Sequence, residues 1–243
     1  MKHAYWLISL YFFAVLVDAK PGDVRVDEDP NYWGYQDIKK ALSNKDNKSW
    51  MVYRTLRSTD RAKHKCVYAE VKEKEAEENA YEFVQKYLKE DGTTEKQTLY
   101  AIPYKTEHPE GKDRKIENAM RVTKNKGSKT GRHYRLIFSD YKCCDILRAL
   151  EDEKGAACEL YLHDQCVGEA VSRKCELQYE KACGKGEAYK HEVYYPSCRN
   201  TTDVTPKPTT KPPDHEETPE KPTPEVPQTP EETTTTSTLP PGC

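Results

Sequence analysis

Between residues 50 and 163 apolar and polar positions alternate with period two, the spacing of half-buried β-strands. Eight runs carry the pattern: 50–56, 65–71, 80–88, 96–104, 115–123, 132–139, 144–150 and 157–163. In the third, Tyr81, Phe83 and Tyr87 share one face, with Val84 and Leu88 on the other. In the sixth, Tyr134, Leu136 and Phe138 stand opposite His133, Arg135 and Ile137. Turn residues separate the runs, among them Glu90-Asp91-Gly92 and the basic, glycine-bearing stretch 124–131. Eight strands at this spacing predict an antiparallel meander that closes on itself. A barrel of that size has room for one small ligand.

A second period frames the strands. Ile38, Ala41 and Leu42 predict a short helix over 35–43, broken by Asn44-Lys45-Asp46-Asn47. Val171, Cys175, Leu177, Gln178 and Ala182 recur near 3.6 and predict a helix over 169–183, which Gly184 ends. Residues 20–32 read as acidic and irregular.

The two ends belong to other classes of polymer. Lys2 and His3 precede an apolar run over 5–17, and Val17-Asp18-Ala19 follows. This is the pattern of a secretory signal peptide, residues 1–19, cut after Ala19. The run falls short of the roughly 20 apolar residues of a membrane span, so no membrane partner is expected. Residues 201–243 hold 13 Thr and 11 Pro. Such a segment buries too little apolar surface to offset its ordering entropy. It reads as a disordered tail, either plain or an O-glycosylated, mucin-like stalk. One folded domain, 20–200, remains between them.

Secretion makes the nine cysteines legible. Seven fall between Cys143 and Cys198, and Cys66 lies upstream. In an oxidising compartment they read as a disulfide framework, and their spacing is not that of a zinc site. Cys243 is the odd one, free to form a disulfide-linked dimer or to be capped. Asn47-Lys48-Ser49 and Asn200-Thr201-Thr202 are glycosylation sequons. The chain carries −2 and the tail −5, which leaves about +3 over the domain. That is a mixed surface and not a nucleic-acid footprint. No serine or cysteine nucleophile sits in a catalytic motif, so the expectation is a binding protein without cofactor or metal.

Several features coincide: the amphipathic segment 36–42, Cys144-Asp145-Ile146-Leu147, Cys158-Glu159-Leu160-Tyr161, Cys175 on the second helix and a terminal Cys198. Over residues 35–199 the pattern resembles the tick salivary lipocalins of the histamine-binding family. The resemblance implies a mainly β fold: an eight-stranded antiparallel lipocalin barrel with a short N-terminal helix and a C-terminal helix packed on its wall. It also implies two disulfides, Cys66–Cys198 and Cys144–Cys175. The other four cysteines can pair in three ways, of which Cys158–Cys183 with Cys143–Cys166 is preferred. Neighbouring Cys143 and Cys144 point to opposite faces of a strand, so they should serve different partners.

Family members that bind histamine or serotonin hold the cation with inward carboxylates and aromatic walls. The physical reason is that an amine cation in a dry barrel needs a paired anion. By resemblance, Glu159 is such an inward acid, Glu95 a second and Asp60 a third, and Tyr161 stands beside Glu159 where the family has Trp. The plain alternative for each acid is a solvated surface carboxylate. Arg135 replaces an Asp of amine binders, with His133 near it. An inward arginine would repel an amine, leaving a single-amine pocket, a pocket for an anionic lipid such as a leukotriene held by Arg135 or His133, or an Arg135 paired with Glu159 or Glu95. The expected function is a secreted scavenger of a small host mediator such as histamine or serotonin. The competing reading is an inhibitor that grips a host plasma protein of complement or clotting through loops 107–114 and 124–131.

Overall fold

The computed structural model describes residues 24–57, 59–75, 79–152 and 156–201. The signal peptide, Cys243 and all of the Thr/Pro tail but Thr201 lie outside them.

Eight strands form the barrel: β1 (Lys48–Arg54), β2 (Lys65–Glu75), β3 (Ala80–Leu88), β4 (Thr94–Tyr104), β5 (Ala119–Thr123), β6 (Arg132–Ser139), β7 (Cys144–Ala149) and β8 (Ala157–His163). Each pairs antiparallel with the next, β8 pairs with β1, and β1 pairs with β2, which closes the ring. A two-residue β9 (His191–Glu192) is added beside β1. The chain therefore has the closed eight-stranded antiparallel barrel that the alternation predicts.

The alternation sorts side chains into two apolar layers. Met51, Phe83, Leu136 and Leu147 belong to the layer inside the barrel. Ile137, Ile146, Leu160 and Leu162 belong to the layer outside, under α2 (Arg173–Cys183). On α2 Cys175, Tyr179 and Cys183, four residues apart, form the buried face. Two disulfides rivet that face to the wall, Cys144–Cys175 on β7 and Cys158–Cys183 on β8. Cys66–Cys198 ties β2 to the C-terminal segment, and Cys143–Cys166 joins the chain ends next to β7 and β8.

Boundaries differ from the sequence expectation where a side chain captures backbone. The N-terminal stretch read as irregular contains a 3-10 helix, Pro30–Tyr35, capped by Asp29. The short helix shrinks to α1 (Ile38–Leu42), because the Asp37 side chain accepts from Lys40 N and sets its start. Ser172 caps α2 in the same way and delays it to Arg173. β5 starts at Ala119, just after Asn118, whose carboxamide accepts from Thr106 N and donates to Thr106 Oγ1.

The N-terminal strap is held by a buried charge. Asp27 is 1% exposed. Its carboxylate accepts from Arg148 Nε and Nη2 at 3.0 Å and from Arg135 Nη1 at 3.1 Å. Arg114 donates to Gln36 Oε1 and to the Asp27 carbonyl, and it lies over the Trp33 ring. One end of loop 107–114 is therefore built into the structure rather than offered as an epitope.

Burial raises the Asp27 carboxyl pKa, but Arg148, then Arg25 and Arg135, outweigh it and hold it below the ordinary value. Its contribution to stability is present above the unfolded value near 3.9 and is lost as pH falls through the lowered folded value. Asp27→Asn leaves buried guanidinium groups short of an anion, and should lower unfolding stability by about 3–5 kcal/mol in a guanidinium titration. A loss under about 1 kcal/mol would show that the strap does not depend on this charge.

Candidate ligand site in the barrel

The barrel interior is divided into two compartments by a knot of charged side chains. Its foundation is Arg54, at the end of β1 and 2% exposed. The Arg54 guanidinium donates to the backbone carbonyls of Arg61, Ala62 and His64. Those bonds fix the 3-10 turn Asp60–Lys63 across the open end of the barrel. From that turn Arg61 reaches inward. Its Nη1 donates to Asp152 Oδ2 at 2.9 Å, and its Nη2 to both Tyr134 Oη and Glu159 Oε1 at 2.9 Å. Arg132 Nη1 shares Asp152 at 2.8 Å. The other Glu159 oxygen accepts from Tyr161 Oη at 2.9 Å. Burial opposes the Arg61 charge, but Glu159 and the groups around it prevail and raise its pKa above the usual guanidinium value. The Tyr161 hydroxyl is pushed well up by burial and then by Glu159.

Below the knot lies an inner cavity of about 100 Å³. Phe83, Met120, Leu136 and Leu147 wall it, and Ile38 and Ala41 of α1 form its floor. Glu159 and Tyr161 line its upper part. Asp145 and His163 line it too, two residues nearer the closed end on β7 and β8: the register sets Glu159 opposite Leu147 and Tyr161 opposite Asp145. His163 Nε2 lies 3.0 Å from Asp145 Oδ2, and its Nδ1 lies 2.9 Å from the Asp46 carbonyl. Asp145 Oδ1 is buried and has no hydrogen-bond partner among the described residues.

Above the knot a chamber of about 510 Å³ opens to solvent. Arg61, Arg132 and Lys124 line it together with Tyr87, on which His64 stacks at 4.0 Å. Burial, then Arg54 and Arg61, hold the His64 pKa below the ordinary value.

The residues singled out from sequence are scattered over these features. Glu159 and Tyr161 meet inside the barrel. Glu95 stands on the rim, paired with Lys89 at 3.0 Å, which holds its carboxyl below the usual range. Asp60 is exposed beyond the rim. Arg135 and His133 do not face the lumen, because inward Tyr134 and Leu136 force their neighbours outward. Arg135 bonds Asp27 and Glu28, not Glu159 or Glu95, and His133 Nδ1 sits 2.8 Å from Tyr104 Oη. Neither can hold a ligand carboxylate inside the barrel. Sequence reasoning missed Asp145, His163 and Arg61. Asp145 and His163 alternate in phase with Leu147 and Tyr161, opposite to Cys144 and Cys158, which are tied to the outer helix, and that phase was readable. Among the described residues one group, Asp140, Cys144 and Cys175, has ligand atoms close enough for a metal, and its two cysteines are consumed in a disulfide.

The family model described as tick histamine binding protein matches residues 26–200. The chain belongs to the tick histamine-binding protein family. Comparison with curated protein sequences returned no match. Among solved structures, the chain is similar to Japanin from Rhipicephalus appendiculatus, bound to cholesterol: 12% identity over 58% of this chain and 89% of that one, with a TM-score of 0.42. It is also similar to the amine binding protein of Rhodnius prolixus in its tryptamine complex, at 13% identity, 65% and 83% coverage and a TM-score of 0.44. The cockroach allergen Per a 4 gives 10%, 68%, 91% and 0.47. At these values no ligand carries over from any of the three. Membership in the histamine-binding family assigns a ligand-binding lipocalin fold, and the choice of ligand rests on the interior described above.

The His163 ring supplies a pH test of that interior. Burial disfavours its charge, but the hydrogen bond and charge of Asp145, then the Asp46 carbonyl, raise its pKa above the ordinary value. Its stabilising contribution is complete below the unfolded value of about 6.5 and is lost as pH rises through the raised folded value. Denaturant midpoints should therefore fall between pH 6 and pH 8 more steeply for the native chain than for His163→Gln. Parallel pH profiles would contradict the Asp145–His163 pairing.

Proposed function

We propose that this protein is a secreted carrier that captures one small protonated amine of an inflammatory mediator, histamine above all, in the inner cavity. The observation that carries the proposal is Asp145 Oδ1, a buried carboxylate oxygen without a partner beside an apolar, aromatic-walled space. An ammonium there gains a charge-assisted hydrogen bond, worth about 1.5–3 kcal/mol. Of the aromatic residues that line the cavity, Tyr161 stands opposite Asp145 on β8, and a cation over its ring would gain roughly 0.5–2 kcal/mol. Size selects within the class. The cavity, about 100 Å³, is smaller than the engineered one of about 150 Å³ that accepts benzene, and histamine has more heavy atoms than benzene, so seating it requires flexible Met120 and its neighbours to move aside. A fused-ring amine such as serotonin fits less well.

Four disulfides suit an oxidising compartment, and together with the signal-peptide pattern they support secretion. Asn47 and Asn200 are exposed, as N-glycan acceptors must be. Asn47 also lines the inner cavity where it approaches the surface, so a glycan there would stand at the opening.

Binding must involve His163. An ammonium on Oδ1 and a protonated His163 on Oδ2 would crowd two cations on one carboxylate, so capture expels the histidine proton and weakens as pH falls. Titration calorimetry against histamine, serotonin and a leukotriene checks this. Histamine should bind one per barrel, more weakly at pH 6 than at pH 8, with proton release visible as a buffer-dependent heat. Asp145→Asn should weaken it roughly 10- to 150-fold. No amine binding at all, or an Asp145→Asn variant that binds as well as the native chain, would overturn the assignment.

A further inference from the structure

Arg61 occupies a place where a ligand cation could sit. Its Nη2 lies 2.9 Å from Glu159 Oε1, and Glu159, 2% exposed, lines the inner cavity while Arg61 lines the mouth chamber. Gln85, Val122 and Tyr134 line both spaces, so the two compartments touch there. The Arg61–Glu159 ion pair crosses the same level of the barrel. Both Glu159 oxygens are engaged, one by Arg61 and one by Tyr161. Arg61 is carried by the turn between β1 and β2, whose carbonyls Arg54 holds.

We propose that Arg61 is a specificity-determining residue: its guanidinium acts as a built-in cation on Glu159, limiting the barrel to one amine and walling the inner cavity off from the mouth. The inference rests on the reading of the inner cavity as an amine site and names what restricts that site. Chemically it is a competition between two donors for one carboxylate. A guanidinium tethered to the fold is present at a high effective concentration and also bonds Asp152 and Tyr134, so a free ammonium cannot displace it. Without Arg61, Glu159 becomes a second buried acid facing a space that joins both compartments.

The test is calorimetry with histamine on the full-length chain and three variants at pH 8. Arg61→Met keeps the aliphatic stem and removes the charge, and should raise the stoichiometry from one amine to two. Arg61→Lys keeps a cation near Glu159 and should stay at one, a result that loss of packing alone does not produce. Arg61→Met combined with Glu159→Gln removes both charges and should return to one; it also serves as the variant that folds if Arg61→Met, with its unpaired carboxylate, does not. In that event the inference is judged on Arg61→Lys and the double variant, and two amines on either would overturn it. One amine on both the native chain and a folded Arg61→Met would overturn the role of Arg61 and leave the Asp145 site standing. None on the native chain but one on Arg61→Met would do the reverse. Two on the native chain, or none on any form, would also overturn the role of Arg61.

Discussion

A charge withdrawn from water must meet an opposite charge or a cage of dipoles, and that requirement positions the parts of this fold that the strand ladders leave free. The ladders define a wall. They do not define where the N-terminal strap lies or how the β1–β2 turn covers the open end. Asp27 pins the strap to Arg135 and Arg148, and Arg54 pins the turn through three carbonyls. An ion pair at 3 Å is worth about 5 kcal/mol at an effective dielectric near 20, against about 1 kcal/mol net for a backbone hydrogen bond. Much of that attraction only restores lost hydration. The pairs therefore select one arrangement of the loops more than they add stability.

Stability comes instead from the outer layer, and this is what permits a hollow interior. The four disulfides all run outside the barrel wall or between chain ends, with sequence separations from 23 to 132 residues. In the entropy model each contributes roughly 3–5 kcal/mol. Keeping an inner cavity of about 100 Å³ in place of packed side chains costs about 2.4 kcal/mol at 24 cal/mol per Å³. A single cross-link more than covers it. The exterior cross-links and the interior cavity are two sides of one design, in which close packing inside is given up.

The wall was legible in the sequence because its signal is local and repeated. Every barrel strand falls within a few residues of a period-two run, and Gly184 ends α2 as read, with a positive φ and the Tyr189 ring too close to allow a Cβ. The interior was legible only in part. Glu159 and Tyr161 lie in phase with each other, and both turn inward. Asp145 obeys the same rule, since Cys144 faces the outer helix and the next side chain along the strand turns inward. Arg61 had no readable signal: its position depends on side-chain bonds, those of Arg54 to the carbonyls of the turn and that to Asp152, 91 positions away in the β7–β8 loop. The starts of the helices were missed where Asp37 and Ser172 captured backbone.

Arg135 shows how a family pattern and local physics should be weighed when they conflict. Resemblance placed it on an inward position of the sixth strand, while the alternation of Tyr134 and Leu136 placed it outside. A one-residue shift in phase would bury Arg135 and expose two large apolar side chains together, so the alternation had to prevail. The lumen nevertheless contains an arginine, supplied by a turn instead of a strand. That difference matters physically. On a strand, the ladder fixes the backbone that carries a guanidinium from both sides. One on a turn is held by side-chain bonds and by Arg54, so the charge presented to a ligand depends on whether that turn stays in place.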